Sequence, residues 1–302
     1  VAQYHPETRQ MEFVEPTEYV KLPCADMVRV KTKYGLDQLL SPEHRVLLED
    51  KNRPAKREVL SAAELLARHD RHLGGHRTYG GGYRAGTPTI GFVSGAVPTA
   101  FSAAGGAGLP LTDAELRLQV AVIADGYFGA ATNWCVVRLK RPRKIAQMRE
   151  VLAAAGVEYK ETTPEYKGAE GFHVFKFSAP RRDKEFTEWY WGANRAQLEL
   201  IAAESLLWDG STKHGGTFRA CVKRSADFIQ YAFCATGRTA RVTAFPREGK
   251  ATEYVVTVRN LPRLLLHNRH GATVYPAPST DGFKYCFMVP STFLIFRRNG
   301  CV

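Results

Sequence analysis

The chain has 302 residues, 44% hydrophobic and 24% charged, which is enough for two ordinary globular domains with separate cores. Lys and Arg outnumber Asp and Glu by 42 to 30, a net charge of +12, which favours a polyanionic partner, nucleic acid or a membrane surface, the plain alternative being a basic but otherwise ordinary enzyme. No apolar run is long enough to span a bilayer, and the six scattered Cys show neither metal-ligand spacing nor the density of a disulfide scaffold, so a reducing cytosol is the expected compartment.

Val1–Val14 lacks the charged-then-apolar pattern of a leader, and with no initiator Met the sequence reads as part of a longer product. Residues 1 to about 60 read as strands and turns. Met27–Lys33 alternates apolar and polar as a half-buried strand does, Tyr34-Gly35 turns the chain, and Leu36–Leu40 returns. Ser61-Ala62-Ala63-Glu64 is a capping box that opens a helix from Ala62 to about His69. Gly74 to Gly108 is rich in Gly, Ala, Thr and Pro and is expected to be a loop or domain boundary. Tyr79, Tyr83, Arg77 and Arg84 on that loop are candidates for additional contacts; the loop could equally be a plain tether. His69, His72 and His76 have no Cys partner and no zinc spacing, and read as loop or nucleic-acid-facing histidines.

Thr112-Asp113-Ala114-Glu115 is a second capping box, and its helix runs to Asp125-Gly126. Strand-like Tyr127–Leu139 follows, broken near Thr132-Asn133. Then come an amphipathic helix, Lys144–Ala155, stopped by Gly156, and two strands, 157–162 and 172–177. The order then repeats. An apolar helix, Gln197–Leu207, ends at Asp209-Gly210; strand-like 217–222 and a helix, Ala226–Ala235, stopped by Gly237, lead to strands 239–245 and 253–258. Gly156 follows Asp125 by 31 residues and Gly237 follows Asp209 by 28, the mark of an internal duplication of about eighty residues. From Leu261 the chain is strand-like again, notably over Lys284–Phe296, with a turn at Arg297–Gly300. Two β-rich ends around a duplicated α/β unit are the pattern of one domain inserted in another.

An Asp-Gly at a helix end is ordinarily only a turn. Here both copies place the carboxylate at the same point of the repeat. Small residues, Ala121 and Ala124 in one helix and Ala202, Ala203 and Ser205 in the other, would let the two helices pack closely and set Asp125 beside Asp209. Paired carboxylates repel, and a divalent cation between them is the cheapest remedy. Oxygen-only ligation suits Mg²⁺, which retains waters and accepts substrate phosphates.

Leu118–Gly126 (LQVAVIADG) and Ala202–Gly210 (AAESLLWDG) resemble the paired LAGLIDADG motifs of single-chain homing endonucleases, and the resemblance covers about residues 110 to 260. The second copy departs from the pattern at Glu204, where a small residue is common. The resemblance implies an α+β fold: two αββαββα halves related by pseudo-twofold symmetry, with a saddle of strands on double-stranded DNA. It implies Asp125 and Asp209 as catalytic metal ligands for Mg²⁺, with Mn²⁺ able to substitute. Lys140 and Lys223, which follow the first strands of their halves, are the candidate basic residues near the scissile phosphates, and each could equally be a solvated or phosphate-contacting Lys. Arg138, Arg141, Arg143, Arg219, Arg224, Arg238 and Arg241 are the candidate DNA contacts, with Arg181 and Arg182 also on loops of this region.

Ser41-Pro42-Glu43-His44 resembles the Thr-x-x-His motif of inteins (the Hint domain), with Ser41 for Thr and His44 as the residue that polarises the scissile peptide. Lys284–Val289 resembles a later intein block and puts Cys286 at the position that assists splicing. A core-edge histidine and a small buried hydrophobe are the plain alternatives for these two residues. The nucleophile that begins an intein and the His-Asn that ends one are not between Val1 and Val302. The ends are therefore removed, supplied by a separate fragment, or dispensed with because splicing is lost.

The expected organisation is thus a Hint splicing domain in residues 1–75 and 261–302, a linker at 76–109 and a LAGLIDADG endonuclease at 110–260. The expected function is site-specific cleavage of double-stranded DNA by a monomer, with host-protein exteins as partners of the splicing domain, in the cytoplasm of a phage-infected or microbial cell. The competing expectations are a splicing element with a degenerate nuclease, and a DNA- or RNA-binding module without cleavage.

Overall fold

The computed structural model describes residues 1–33, 35–50, 52–53, 55–73, 96–103, 107–129, 134–168, 170–261, 263–266 and 272–302. In chain order the elements begin with β1 (Ala2–His5), β2 (Gln10–Phe13), β3 (Glu18–Pro23), β4 (Asp26–Lys31), β5 (Asp37–Leu40), β6 (Arg45–Glu49), β7 (Arg57–Ser61) and α1 (Ala62–Leu73). Then come β8 (Ala96–Pro98), β9 (Ser102–Ala103), α2 (Asp113–Asp125), β10 (Gly126–Phe128), β11 (Trp134–Leu139), α3 (Pro142–Ala154), β12 (Tyr159–Thr162) and β13 (His173–Ser178). The chain continues through α4 (Arg195–Trp208), β14 (Gly210–Ser211), β15 (Thr217–Ala220), α5 (Lys223–Ala235), β16 (Thr239–Arg247) and β17 (Lys250–Arg259). It ends in β18 (Arg263–Leu265), β19 (Thr273–Pro278), β20 (Phe283–Met288) and β21 (Leu294–Ile295). The fold is mixed α+β, and among the described residues no helix is long and apolar enough to cross a membrane.

The chain divides into two compact units. The first comprises Val1–Ser102, Gly237–Arg241 and Asn260–Val302; the second comprises Ala103–Thr236 and Val242–Arg259.

In the first unit the two chain ends share their sheets. β1 lies between β2 and β21, β3 pairs with β20, and β4 lies between β5 and β19, all antiparallel. The apolar positions of β4 face inward: Val28 and Val30 are buried with Leu36, Leu40, Leu48 and Leu65, and Leu264, Leu266 and Val274 from the far end of the sequence complete the same core. Outside that face Arg29 donates two hydrogen bonds to the Asp37 carboxylate, each 2.9 Å, across the β4–β5 pair. The Ser61–Glu64 capping box forms, and α1 continues past the expected end at His69 to Leu73, because nothing between His69 and the Gly74-Gly75 pair disfavours a helix. His69 is buried on this helix rather than set on a loop or turned toward a nucleic acid. His76, Tyr79, Tyr83, Arg77 and Arg84 lie outside the described residues, as does most of the expected linker. The described part of that linker is not all loop: β8 pairs with β6 and β18, β9 joins the β1–β2 sheet, and Ala96 and Phe101 are buried. A Gly- and Ala-rich stretch reads as a loop by composition, yet small side chains also let a strand lie close against a packed sheet.

The second unit is built twice over the same plan, helix, two strands, helix, two strands. Its sheets have matching orders, β10-β11-β13-β12 and β14-β15-β17-β16. In each, the strand that leaves the Asp-Gly helix sits at the edge: Gly126 pairs with Val137 and Gly210 with Phe218. α2 and α4 pack against each other, and Ala121, Ala202 and Ser205 are buried there, whereas Ala203 faces solvent. α3 begins at Pro142, two residues before the expected start, because proline suits the first helical position. α4 begins at Arg195 because Asn194 and Gln197 form a capping box.

Candidate functional site

The C-terminal ends of α2 and α4 carry Asp125 and Asp209. Each is followed by a glycine that leaves no room for a side chain. A Cβ on Gly126 would stand 2.6 Å from the Val122 carbonyl and 2.9 Å from Cys135 Sγ. One on Gly210 would stand 2.5 Å from the Thr217 carbonyl and 2.8 Å from Leu206 Cα. In both halves the chain doubles back onto its own helix and the next strand at the same place, and the carboxylate one residue earlier is thereby held at the end of its helix.

The two carboxylates converge on one ammonium. Lys144 Nζ, from the first turn of α3, lies 2.5 Å from Asp125 Oδ2 and 3.7 Å from Asp209 Oδ1, so those oxygens are no further apart than the sum of these distances. A second ammonium stands nearby. Lys184 Nζ donates to the Val122 and Ile123 carbonyls at the end of α2, each at 2.7 Å. Its loop is pinned to α2 by Gln119, fully buried, whose Oε1 accepts the Arg181 amide at 2.9 Å. Burial pushes the Asp209 carboxyl above its ordinary range and the charge of Asp125 adds to the rise, against the pull of Lys144 and Lys184. Burial pushes the Lys184 ammonium the other way, below the ordinary lysine range.

Glu204, the departure in the second motif, is buried between helices and fully partnered. It accepts hydrogen bonds from Arg117 Nε (2.9 Å) on α2, Gln147 Nε2 (2.8 Å) on α3 and Trp208 Nε1 (3.0 Å) on its own helix. A carboxylate in a helix interface normally disfavours packing, but three convergent donors turn this one into a cross-link of both halves.

Asp125 and Asp209 open into a cleft of about 740 Å³ lined also by Arg138, Lys140, Arg141, Lys144, Trp208 and Arg219. Of the residues expected from sequence, the structure thus gathers Asp125, Asp209, Lys140, Arg138, Arg141 and Arg219. Lys140 Nζ and the Arg138 guanidinium lie over the Phe172 ring, at 5.4 and 4.1 Å. Arg143 donates to the Leu207 carbonyl at the end of α4. Lys223, the first residue of α5, pairs with Asp227 at 2.6 Å and does not line the cleft; Arg224 pairs with Glu185 at 3.3 Å. Arg238 and Arg241 belong to the first unit, where Arg241 donates to the Lys33 carbonyl. Sequence reasoning missed Lys144 and Lys184. The available signals were the short Pro-Arg-Lys start of α3 and the basic run Arg181-Arg182-Asp183-Lys184.

Beside the cleft, the open face of the first sheet carries Tyr127, Trp134, Arg138 and Lys176, all exposed, with Lys176 Nζ 5.4 Å from the Trp134 ring centre. The same face of the second sheet carries Arg219, paired with Glu253 at 2.8 Å. Cations and aromatic rings displayed on strands beside a basic cleft are groups that meet phosphates and bases.

In the first unit a cavity of about 780 Å³ is lined by Ser41, His44 and Cys286 among other residues. Ser41 follows β5, and its carbonyl accepts the His44 amide at 2.9 Å. The His44 ring packs 5.4 Å from Phe296, and burial holds its imidazole below the ordinary histidine range. Cys286 stands on β20 opposite Val20, and burial raises its thiol. Lys284 of the same strand pairs with Glu43.

No family model matches the sequence, and no curated protein matches it. Among solved structures, the N-terminal LAGLIDADG domain of DUF199/WhiA is similar over 49% of this chain and 77% of its own, at 9% identity and a TM-score of 0.35. I-DmoI in complex with DNA and Mn is similar over 48% of this chain and 89% of its own, at 11% identity and a TM-score of 0.35. Full-length DUF199/WhiA from Thermatoga maritima is similar over 49% of this chain and 52% of its own, at 10% identity and a TM-score of 0.35.

Proposed function

We propose that the second unit is a metal-dependent endonuclease of the LAGLIDADG type that hydrolyses phosphodiester bonds of double-stranded DNA at a specific site. The observation that carries this reading is the convergence of Asp125 and Asp209, from matching points of two repeats, on the Lys144 ammonium in a cleft lined with Arg and Lys. The donor set fits a divalent cation. Two carboxylates are hard oxygen ligands, and their convergence on one ammonium brings them close enough to share an ion. Among the described residues no group of three or more acidic, His or Cys side chains stands ready for a metal, so the remaining positions would fall to water and substrate phosphate, as Mg²⁺ and Mn²⁺ commonly arrange. Asp125 and Asp209 would hold the cation, which when bound supplies charge neutralisation and an acidified water.

The chain's own residues do the rest. Arg138, Lys140, Arg141 and Arg219 offer positive charge along the cleft for the DNA backbone, and Lys184, held on the Val122 and Ile123 carbonyls, adds its charge to the field at Asp209. Lys223, Arg143 and Arg224 serve as backbone or structural contacts at the helix starts. The test is plasmid cleavage with Mg²⁺ on a library that includes the uninterrupted host-gene junction. Asp125→Asn and Asp209→Asn are each expected to lower cleavage about a hundredfold or more with DNA binding retained. Equal cleavage by the Asp125→Asn/Asp209→Asn double variant overturns the reading. Binding without cleavage by the parent chain favours a non-cleaving DNA-binding protein.

A second reading concerns the first unit. Cys286 is distant in sequence from Ser41 and His44 yet lines the same cavity, which supports a protein-splicing role in which the His44 imidazole assists an acyl shift and host exteins are the partners. Adding the intein-type terminal residues and flanking segments is expected to yield a ligated flank product, abolished by His44→Ala. No ligated product in the extended chain would leave the nuclease alone.

A further inference from the structure

The two halves repeat their helices and strands but not the charge they deliver to the carboxylates. Lys144 is the third residue of α3; the third residue of α5 is Ser225. Ser225 is buried, uncharged, and accepts the Phe186 amide at 3.1 Å. One half therefore sends an ammonium to the carboxylate pair and the other does not. The Lys144 side chain is only 11% exposed and stands 5.8 Å from the Trp208 ring centre, so its charge is not simply lent to solvent.

We propose that Lys144 is a resident stand-in for the divalent cation: its ammonium holds Asp125 and Asp209 together in the metal-free protein and withdraws when a cation binds, so that this one side chain sets the cation affinity. The proposal rests on the reading of Asp125 and Asp209 as cation ligands. Its physical basis is exclusion and charge. Mg²⁺ takes oxygen ligands at about 2.0–2.1 Å and keeps several waters, and an ammonium 2.5 Å from one of those carboxylate oxygens and 3.7 Å from the other occupies the volume such an ion would need. A single positive charge relieves the repulsion of two carboxylates only in part, and a doubly charged ion relieves it fully, so the exchange is favourable but opposed by the ion pair it breaks. Lys184 is not the competitor, because its ammonium is engaged by the α2 carbonyls.

The test is Mn²⁺ binding to the full chain without DNA, read as loss of the free-ion electron paramagnetic resonance signal. Lys144→Met is expected to bind Mn²⁺ at the pair at least about tenfold more tightly than the parent, since a competing charge at contact distance is removed. Equal or weaker binding by that variant overturns the proposal. Acetylation footprinting of the unmodified chain gives a second readout that does not depend on the variant folding. Mn²⁺ is expected to raise acetylation of Lys144 several-fold, and protection or no change means the ammonium does not withdraw. The Asp125→Asn/Asp209→Asn double variant separates the two levels. If it binds Mn²⁺ as the parent does, the carboxylate pair is not a cation site and the proposal falls with that reading. If it loses binding while Lys144→Met leaves affinity unchanged, only the role of Lys144 fails.

Discussion

Gly126 and Gly210 show how one missing side chain can place another. Neither has a positive φ; both are required by close approach, since any Cβ would overlap a backbone carbonyl or a neighbouring atom within 3 Å. Gly126→Ala and Gly210→Ala are therefore each expected to cost roughly 1–3 kcal/mol of unfolding free energy in urea and to displace the preceding aspartate, whereas Gly156→Ala meets open space and strains only the backbone. Asp37 makes the comparable case in the first unit. Arg29 beside it, with help from Asn299 and Arg298, holds its carboxyl down at about 2. A carboxylate whose folded value is depressed adds stability that is present above the usual carboxylate range and is lost as pH falls toward about 2. Asp37→Asn is expected to lower stability at neutral pH and to flatten the loss between about pH 4 and 2, as read from urea midpoints; an unchanged acid slope would show that Asp37 does not govern it.

At the scale of elements, the helices of the second unit start by two different devices. α2 and α4 carry full capping boxes, Thr112 with Glu115 and Asn194 with Gln197, while α3 relies on Pro142 and α5 begins without a side-chain cap. The α4 box does more than cap. Gln197 also accepts the Leu109 amide at 2.7 Å and donates to the Leu109 carbonyl at 2.9 Å, both buried. Thr112→Ala is expected to cost about 1 kcal/mol, the value of a lost cap, and Gln197→Ala about 2–3 kcal/mol because buried backbone groups are left unpaired as well. Differential scanning calorimetry of the pair checks the order; equal losses would mean that the bonds to Leu109 contribute little.

For the whole molecule the excess of positive charge is shared. The first unit has 21 Lys and Arg against 13 Asp and Glu, and the second 21 against 17. Affinity for DNA is accordingly expected to fall about a thousandfold or more between 50 and 200 mM salt, measured by fluorescence anisotropy, because released counterions drive such binding. A weak salt dependence would mean that few phosphates are neutralised and would count against a DNA partner for either unit.

What the sequence determined by itself is local. Capping boxes, helix-stopping glycines and the Asp-Gly pairs act over three or four residues, so the order of elements, the repeat and the candidate carboxylates are all readable from spacing. Even there, the composition of residues 96–103 concealed strands β8 and β9, since strand formation depends on partners far along the chain. The tertiary structure alone decided which charges meet. Lys144 pairs with both carboxylates, Lys184 is held on the carbonyls at the end of α2, and Glu204, a misfit in its motif, finds donors on three helices. The last turn of the chain is likewise tied to Asp37 through Arg298 and Asn299. The reason is reach. A long side chain can point to several places from one sequence position, and only the packing of distant helices and strands selects among them.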